Sequence, residues 1–383
     1  MDISGNVLTN VIIVLDRIFK FLSARQLNTC SRVCKTWCDQ ARREKASRAK
    51  MRWNYFKHTQ NIEDGHIDEQ WWTLVKHYIL DSPLEPRHVL MFCTDTLWSS
   101  IKEHNSQTNI MMEFLSSSLP ALCVFHVVVT DGIVGTDEAM KTEELEEYTM
   151  ALSLVMFGQL LGAEFVPFSS SHAECLQLAS YWSGQSQQIP PCVQSLKKKK
   201  VQMINLYCPM SGIDQEISYS LYRMFDWPLI AGGYVNEKVL KDFSHKVFNS
   251  DESSDSSCIV SGLALCGDQV QVASVLIRSD VDREEEVDQL VSKLKAHNFP
   301  LHHSIGLMYA CVGRGFHVYN KHNVESGIFR KHFPQTPLLG FFGNGEIGCF
   351  YSTSSRNIQE YERRHPPKLL HAYTTVMCLI SLP

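Results

Sequence analysis

A chain of 383 residues, 44% hydrophobic and 20% charged, is long enough to bury a sizeable core and to divide into two or three domains. Its formal net charge of -5 excludes a surface that is one continuous nucleic-acid-binding field and leaves only local patches to consider. Thirteen cysteines without a Cys-x-x-Cys pair, several inside apolar runs as at Cys123, Cys266 and Cys378, fit reduced thiols and an expected cytoplasmic and nuclear setting.

Asp2 and the Asp16-Arg17 interruption argue against a signal peptide. The longest apolar stretch, Ala151 to Ala163, contains Gln159 and falls short of the roughly 20 residues that span a bilayer, so it reads as core.

Residues 7 to 60 lack Gly and Pro and carry two helical stripes, Val11, Leu15, Ile18 and Leu22, then Leu27, Cys30, Cys34 and Trp37. Ser23 is placed to cap the second helix. A small all-helical module is expected over residues 1–60.

From about residue 87, short Val/Ile/Phe-rich runs such as Val89 to Phe92 and Val124 to Val129 alternate with amphipathic segments, which predicts a mixed α/β body and an α+β chain as a whole. Ser183 to Lys200 and the acidic serine tract Asn249 to Ser257 read as unstructured, the second separating two halves at 61–248 and 258–383.

The two halves share a strand-helix-strand unit. The strand Val201 to Cys208 leads through a helix ending near Phe225 to Pro228–Gly233, and Ser304 to Cys311 leads through one ending near Phe333 to Pro337–Gly343. Between them, Gly267-Asp268 predicts a two-residue hairpin joining Cys258–Cys266 to Gln269–Arg278. Asp282 to His297 predicts a core-covering helix with acids in its first turn and Val287, Leu290, Val291 and Leu294 on one face.

The string Val33-Cys34-Lys35-Thr36-Trp37, preceded by Ile18-Phe19-x-Phe21-Leu22, resembles the F-box family. The family's usual Leu-Pro opening is replaced by Asn10-Val11, and its usual Glu by Ile13. The strings Ala310 to Phe316, Pro337 to Cys349 and His371 to Thr375 resemble the FIST domain pair found behind some F-boxes. The resemblance implies a substrate receptor of a Skp-cullin-F-box ubiquitin ligase. Its module would dock on the Skp adaptor, and through it on a cullin scaffold, while its body presents protein targets for ubiquitination and proteasomal degradation. On that reading Leu15, Ile18, Phe19, Leu22, Leu27, Val33 and Trp37 form the adaptor face. Two alternatives stay open: a small-ligand sensor that uses the F-box as output, and a thiol-dependent enzyme.

Cys30, Cys34 and Cys38 recur at helical spacing, which suits small buried side chains better than thiolate ligands, and no metal is expected. The basic run Arg42, Arg43, Lys45, Arg48, Lys50 and Arg52, with Trp53 and Tyr55 beyond it, reads as a solvated helix face, and no nucleic-acid partner is expected. Gly313-Arg314-Gly315 and Gly343-Asn344-Gly345-Glu346 follow predicted strands, where backbone N–H groups can converge on a ligand. Neither is a nucleotide fingerprint, and no cofactor is expected.

Cys311 would be a reactive thiol if Arg314 turned toward it. A covalent enzyme needs a base as well, and His317 is the nearby histidine in the sequence. The chain is therefore expected to be non-catalytic. A target or ligand surface is expected where these loops meet, built from Cys311, Arg314, Phe316, Phe341, Asn344 and Glu346, with at least one of Phe341 and Phe342 turned into the core.

Overall fold

The computed structural model describes residues 12–58, 68–101, 110–146, 148–209, 214–241, 247–249, 260–351 and 367–383. Three helices open it, α1 (Ile12–Phe19), α2 (Ala24–Cys30) and α3 (Lys35–Ser47). Ser23 caps α2 as expected: its hydroxyl accepts from Gln26 N while the Gln26 side chain accepts from Ser23 N, which satisfies two orphan donors at once. Leu15, Phe19, Leu27 and Ala41 form the core of this module, with Phe19 edge-on to Trp37 at 5.5 Å.

The body is α+β and uses one strand plan three times. The first unit contains β1 (Met51–Lys57), α4 (Glu69–Leu80), β2 (His88–Thr94), α5 (Asp95–Ser100), α6 (Ile110–Ser118), β3 (Val124–Thr130), β4 (Gly132–Thr136), β5 (Thr142–Leu145) and β6 (Ala151–Phe157). The second contains β7 (Glu164–Ser170), α7 (His172–Trp182), β8 (Val201–Cys208), α8 (Asp214–Met224), β9 (Leu229–Tyr234), β10 (Glu237–Lys241), β11 (Val247–Asn249) and β12 (Val260–Cys266). The third contains β13 (Gln271–Ile277), α9 (Glu284–Lys295), β14 (Ser304–Cys311), α10 (Phe316–Tyr319), α11 (Val324–His332), β15 (Leu338–Gly343), β16 (Glu346–Ile347), β17 (Leu370–His371) and β18 (Thr375–Ser381).

The three six-stranded sheets run β1-β6-β2-β3-β10-β11, β7-β12-β8-β9-β16-β17 and β13-β18-β14-β15-β4-β5. Each has a parallel pair at its centre, buried on both faces and crossed over by helices, hence the continuous apolar runs in the sequence. Each also takes its last two strands from another unit. The pair β4 and β5 seats on the third unit, β10 and β11 on the first, and β16 and β17 on the second.

The register confirms the equivalence. Phe92 pairs with Val128, Tyr207 with Gly233 and Tyr309 with Phe341, and each second partner stands three residues before an Asx residue, Asp131, Asn236 or Asn344. Phe92, Tyr207, Tyr309 and Phe341 pack together, with centroids 4.9 Å apart for Tyr309 and Phe341 and 5.8 Å for Phe92 and Phe341. One residue before Gly233 and Phe341, Gly232 and Gly340 cross a neighbouring carbonyl so closely that a Cβ would lie 2.0 Å from Leu206 O and 1.7 Å from Met308 O.

Three expectations are corrected. The strand-helix-strand unit occurs in three copies, where the sequence suggested two. No hairpin forms at Gly267-Asp268: β12 pairs with β7 and β8, and β13 with β18 in another sheet. Gly267 donates to Lys200 O and makes a corner between sheets, and both strands pair with distant segments instead of with each other. Within Ser183–Lys200, a 3-10 turn over Pro191–Leu196 buries Val193 and Leu196. Residues 250–257 of the serine tract lie outside the described residues.

The helix expected over Asp282–His297 is α9, with Glu284, Glu285 and Glu286 in its first turn and Val287, Val291 and Leu294 buried. Ala151–Phe157 is the buried strand β6, and no described helix is long and apolar enough to cross a membrane.

Candidate functional site

The helical module is fastened to the first unit by side chains that the sequence marked as solvated. Arg48 donates to Phe19 O at 2.8 Å, Leu22 O at 2.7 Å, Pro83 O at 2.7 Å and Glu44 Oε1 at 2.9 Å, so one buried guanidinium ties α1, α3 and the loop after α4 together. This corrects the reading of Arg48 as part of a solvated face. Five donors in a planar fork can meet several carbonyls at once, which lysine cannot do. Lys45 and Asn28 both reach Glu85, at 3.1 and 3.0 Å, and Ala24 N donates to Ser82 O at 2.9 Å. Burial pushes the Glu85 carboxyl up, but the Asn28 and Lys45 hydrogen bonds outweigh it and hold it below its usual range.

Leu15, Phe19 and Leu27, expected on the adaptor face, fill the module's own core instead. Leu22 and Trp37 are half-buried against that core. Ile18 and Val33 are exposed, and Ile12, Ile13 and Phe21 join them, Phe21 with 89% of its surface open. A module this small cannot hide all its apolar side chains, and a set left in water marks a place for a partner. Phe21 was legible in the F-box string; Ile13 lay on the side of the helix turned away from Leu15, and Ile12, three residues before Leu15 at the start of α1, was missed although its spacing fits the stripe.

At the other candidate surface the loops after β3, β9 and β15 converge. Asp131 accepts from Asn236 Nδ2 at 2.9 Å and from Asn344 Nδ2 at 3.0 Å, so the equivalent residues of the three units meet. Val312 N donates to Gly343 O at 3.0 Å, which sets the Gly313–Gly315 loop beside Asn344. Asp131 was not legible as a site residue in the sequence because the first copy of the repeat is disguised there, and Asn236 because it lies beyond Gly233, where the recognised second copy ends.

Of the six residues expected on this surface, Phe316 and Asn344 are exposed, while Cys311, Arg314, Phe341 and Glu346 are buried. Arg314 turns inward to Glu325, with Nε 3.1 Å from Oε1, and to the carbonyl of Val281 at 2.9 Å. Phe341 and Phe342 are both in the core. Glu346 accepts from Thr374 Oγ1 at 2.6 Å and Thr374 N at 3.2 Å, yet burial raises its carboxyl well above the usual value. The Cys311 thiol is pushed up by burial and by the charge of Glu346 beside it, the reverse of the lowering expected from Arg314. What stays open is Asn344, Phe316 stacked on His322 at 4.7 Å, and Tyr373 packed over Gly313.

These two surfaces stand on segments with known relatives. Residues 14–47 match the F-box-like family and residues 259–349 the FIST C domain. The chain is therefore an F-box protein with a FIST C domain behind the module, a class whose general role is substrate recognition in a Skp-cullin-F-box ligase.

F-box only protein 22 of Homo sapiens is 30% identical over 393 residues, covering 98% of this chain and 94% of the human protein. F-box only protein 22 of Pongo abelii is 29% identical with the same coverage. The chain belongs to the F-box only protein 22 family. A chorismatase crystal structure overlays with a TM-score of 0.31 at 7% identity, over 86% of this chain and 98% of that one.

Proposed function

We propose that this chain is the substrate-recognition subunit of a Skp-cullin-F-box ubiquitin ligase, acting by position alone. The helical module holds the Skp adaptor through Ile18, Phe21 and Val33, backed by Leu22 and Trp37, and the body presents a protein target for ubiquitination and degradation. The observation that carries this reading is the fastening of an apolar-faced module to the body by Arg48 and Glu85, which gives adaptor and target a fixed mutual orientation. Orientation is the whole contribution such a subunit needs to make.

The target surface is assigned to the loops around Asn344, Phe316 and Tyr373, outside the carboxyl ends of the central strands. From its cysteine usage, thirteen residues with no Cys-x-x-Cys pair, we place the protein in a reducing compartment, cytoplasmic or nuclear.

Co-expression with the Skp adaptor tests the proposal. A stable binary complex in size-exclusion chromatography is expected, and a chain that elutes alone contradicts it. With charged conjugating enzyme on non-reducing gels, no thioester to ubiquitin is expected on Cys311, whose thiol is raised rather than activated.

A further inference from the structure

The strands β4 and β5 belong to the first unit by sequence but complete the sheet of the third, so something must hold them there. The contacts beyond the ladder are polar and buried. Glu144 on β5 reaches the start of α11, where its Oε1 accepts from Ser326 N at 2.7 Å, and its own N donates to Asn323 Oδ1 at 2.6 Å. Glu146 follows on the same segment, and its two carboxylate oxygens each lie 3.1 Å from Phe316 N. One short stretch thus pins both ends of the segment from Phe316 to Asn323.

The charges around Glu144 do not balance. From α11 it faces Glu325, from α10 Tyr319, and from the residues just after its own strand Glu146. The buried cation of the cluster, Arg314, is committed to Glu325, whose Oε1 also accepts from the Tyr319 hydroxyl at 2.8 Å. His322 lies 3.6 Å from Glu146 and is mostly exposed. Glu144 and Glu325 are therefore buried together, the guanidinium beside Glu325 is shared with a third buried carboxylate, Glu346, and among the described residues Glu144 Oε2 and Glu325 Oε2 have no hydrogen-bond partner. A proton on Glu144 removes the surplus charge and supplies a donor to a cluster with unmet acceptors.

We propose that β4 and β5 form a proton-operated latch: Glu144 carries a proton while the pair is seated on the third unit and sheds it when the pair lifts, so that a rise in pH loosens the Phe316–Asn323 segment. Burial and the charge of Glu325 raise the Glu144 carboxyl to about 7, which places the transition in the physiological range. The latch stands whatever the surface binds; its effect on target capture rests on the proposed function.

Amide hydrogen exchange of the full chain, corrected for intrinsic rates and followed from about pH 5 to 8, reads the latch without any target. Loss of one proton on opening lowers protection by up to roughly tenfold per pH unit below about pH 7, and the profile levels off above it. That fall is expected in peptides covering 132–146 and 316–326 and absent from those covering β8 and β12. Glu144→Gln, shaped like the protonated acid, should hold protection level across the window. Glu325→Gln, which takes away the like charge that Glu144 faces, should flatten the fall. Protection that is level in the wild type, or that falls equally in both variants, overturns the proposal; if neither variant folds, the wild-type profile of the two segments against β8 and β12 decides it.

Discussion

The side chains of Arg314 and Glu325 form an ion pair in which they are 1% and 0% exposed, with Nε 3.1 Å from Oε1. A loop expected to display its arginine to a partner has instead turned it inward, to join the segment after β14 to α11 and to the end of β13.

Arg314→Ala should therefore destabilise the protein by about 3 to 5 kcal/mol, the cost of leaving a buried carboxylate without its partner. Chemical denaturation checks this. Arg314→Lys should recover only part of the loss, since an ammonium cannot serve Glu325 and the Val281 carbonyl in the same planar geometry. A change below about 1 kcal/mol for the alanine variant would place Arg314 at the surface after all.

Glycine substitutions should divide by position. Gly340→Ala and Gly232→Ala put a Cβ onto a backbone carbonyl of the adjacent central strand, and both variants should be recovered unfolded or insoluble. At Gly327, inside α11, the place a methyl group would take has no heavy atom within 4 Å, so Gly327→Ala should raise stability by about 0.5 to 1 kcal/mol. Thermal melts of the soluble variants distinguish the two outcomes.

The acid limb of the stability profile should come from buried histidines. Burial lowers His126 to about 3 and His88 to about 4, so both are neutral when folded at pH values where the unfolded chain is protonated. The unfolded state then binds more protons, and stability falls as pH drops from about 6.5 toward those values, by up to about 1.4 kcal/mol per unit per histidine. Glu144 and Glu346 act in the opposite sense. Their folded values lie above the unfolded one, so their contribution is present at low pH and is lost as pH rises toward 7 and beyond. A maximum between the two limbs is expected, and His126→Gln should flatten the acid side in melts taken at a series of pH values.

What the sequence disclosed was local. The cap at Ser23, the acids at the start of α9 and the buried runs of the central strands depend on neighbours in the chain, and they were readable as such. The pairing of β12 and β13 was not, because alternation around Gly267-Asp268 suits a hairpin and a corner between sheets equally well, and distant partners made the choice. The same holds for Arg314. Its inward turn depends on Glu325 and on the carbonyl of Val281 beyond β13, and no spacing in the sequence announces that encounter. The copy in the first unit was hidden because its second strand, Val124–Thr130, carries none of the Pro and Gly that Pro228–Gly233 and Pro337–Gly343 share, and its Asx residue is Asp131.

The central claim, that the module's exposed apolar side chains recruit the Skp adaptor, is tested most directly by the adaptor affinity of Ile18→Asp combined with Val33→Asp, measured by titration calorimetry. Both side chains are open in this chain, Val33 to 62%, so the melting temperature should hold. Each apolar side chain withdrawn from the interface costs roughly 1.5 to 3 kcal/mol, and a carboxylate in a desolvated interface costs more, so affinity should fall by over about a hundredfold. Wild-type affinity in a double variant that melts at the wild-type temperature would contradict the account.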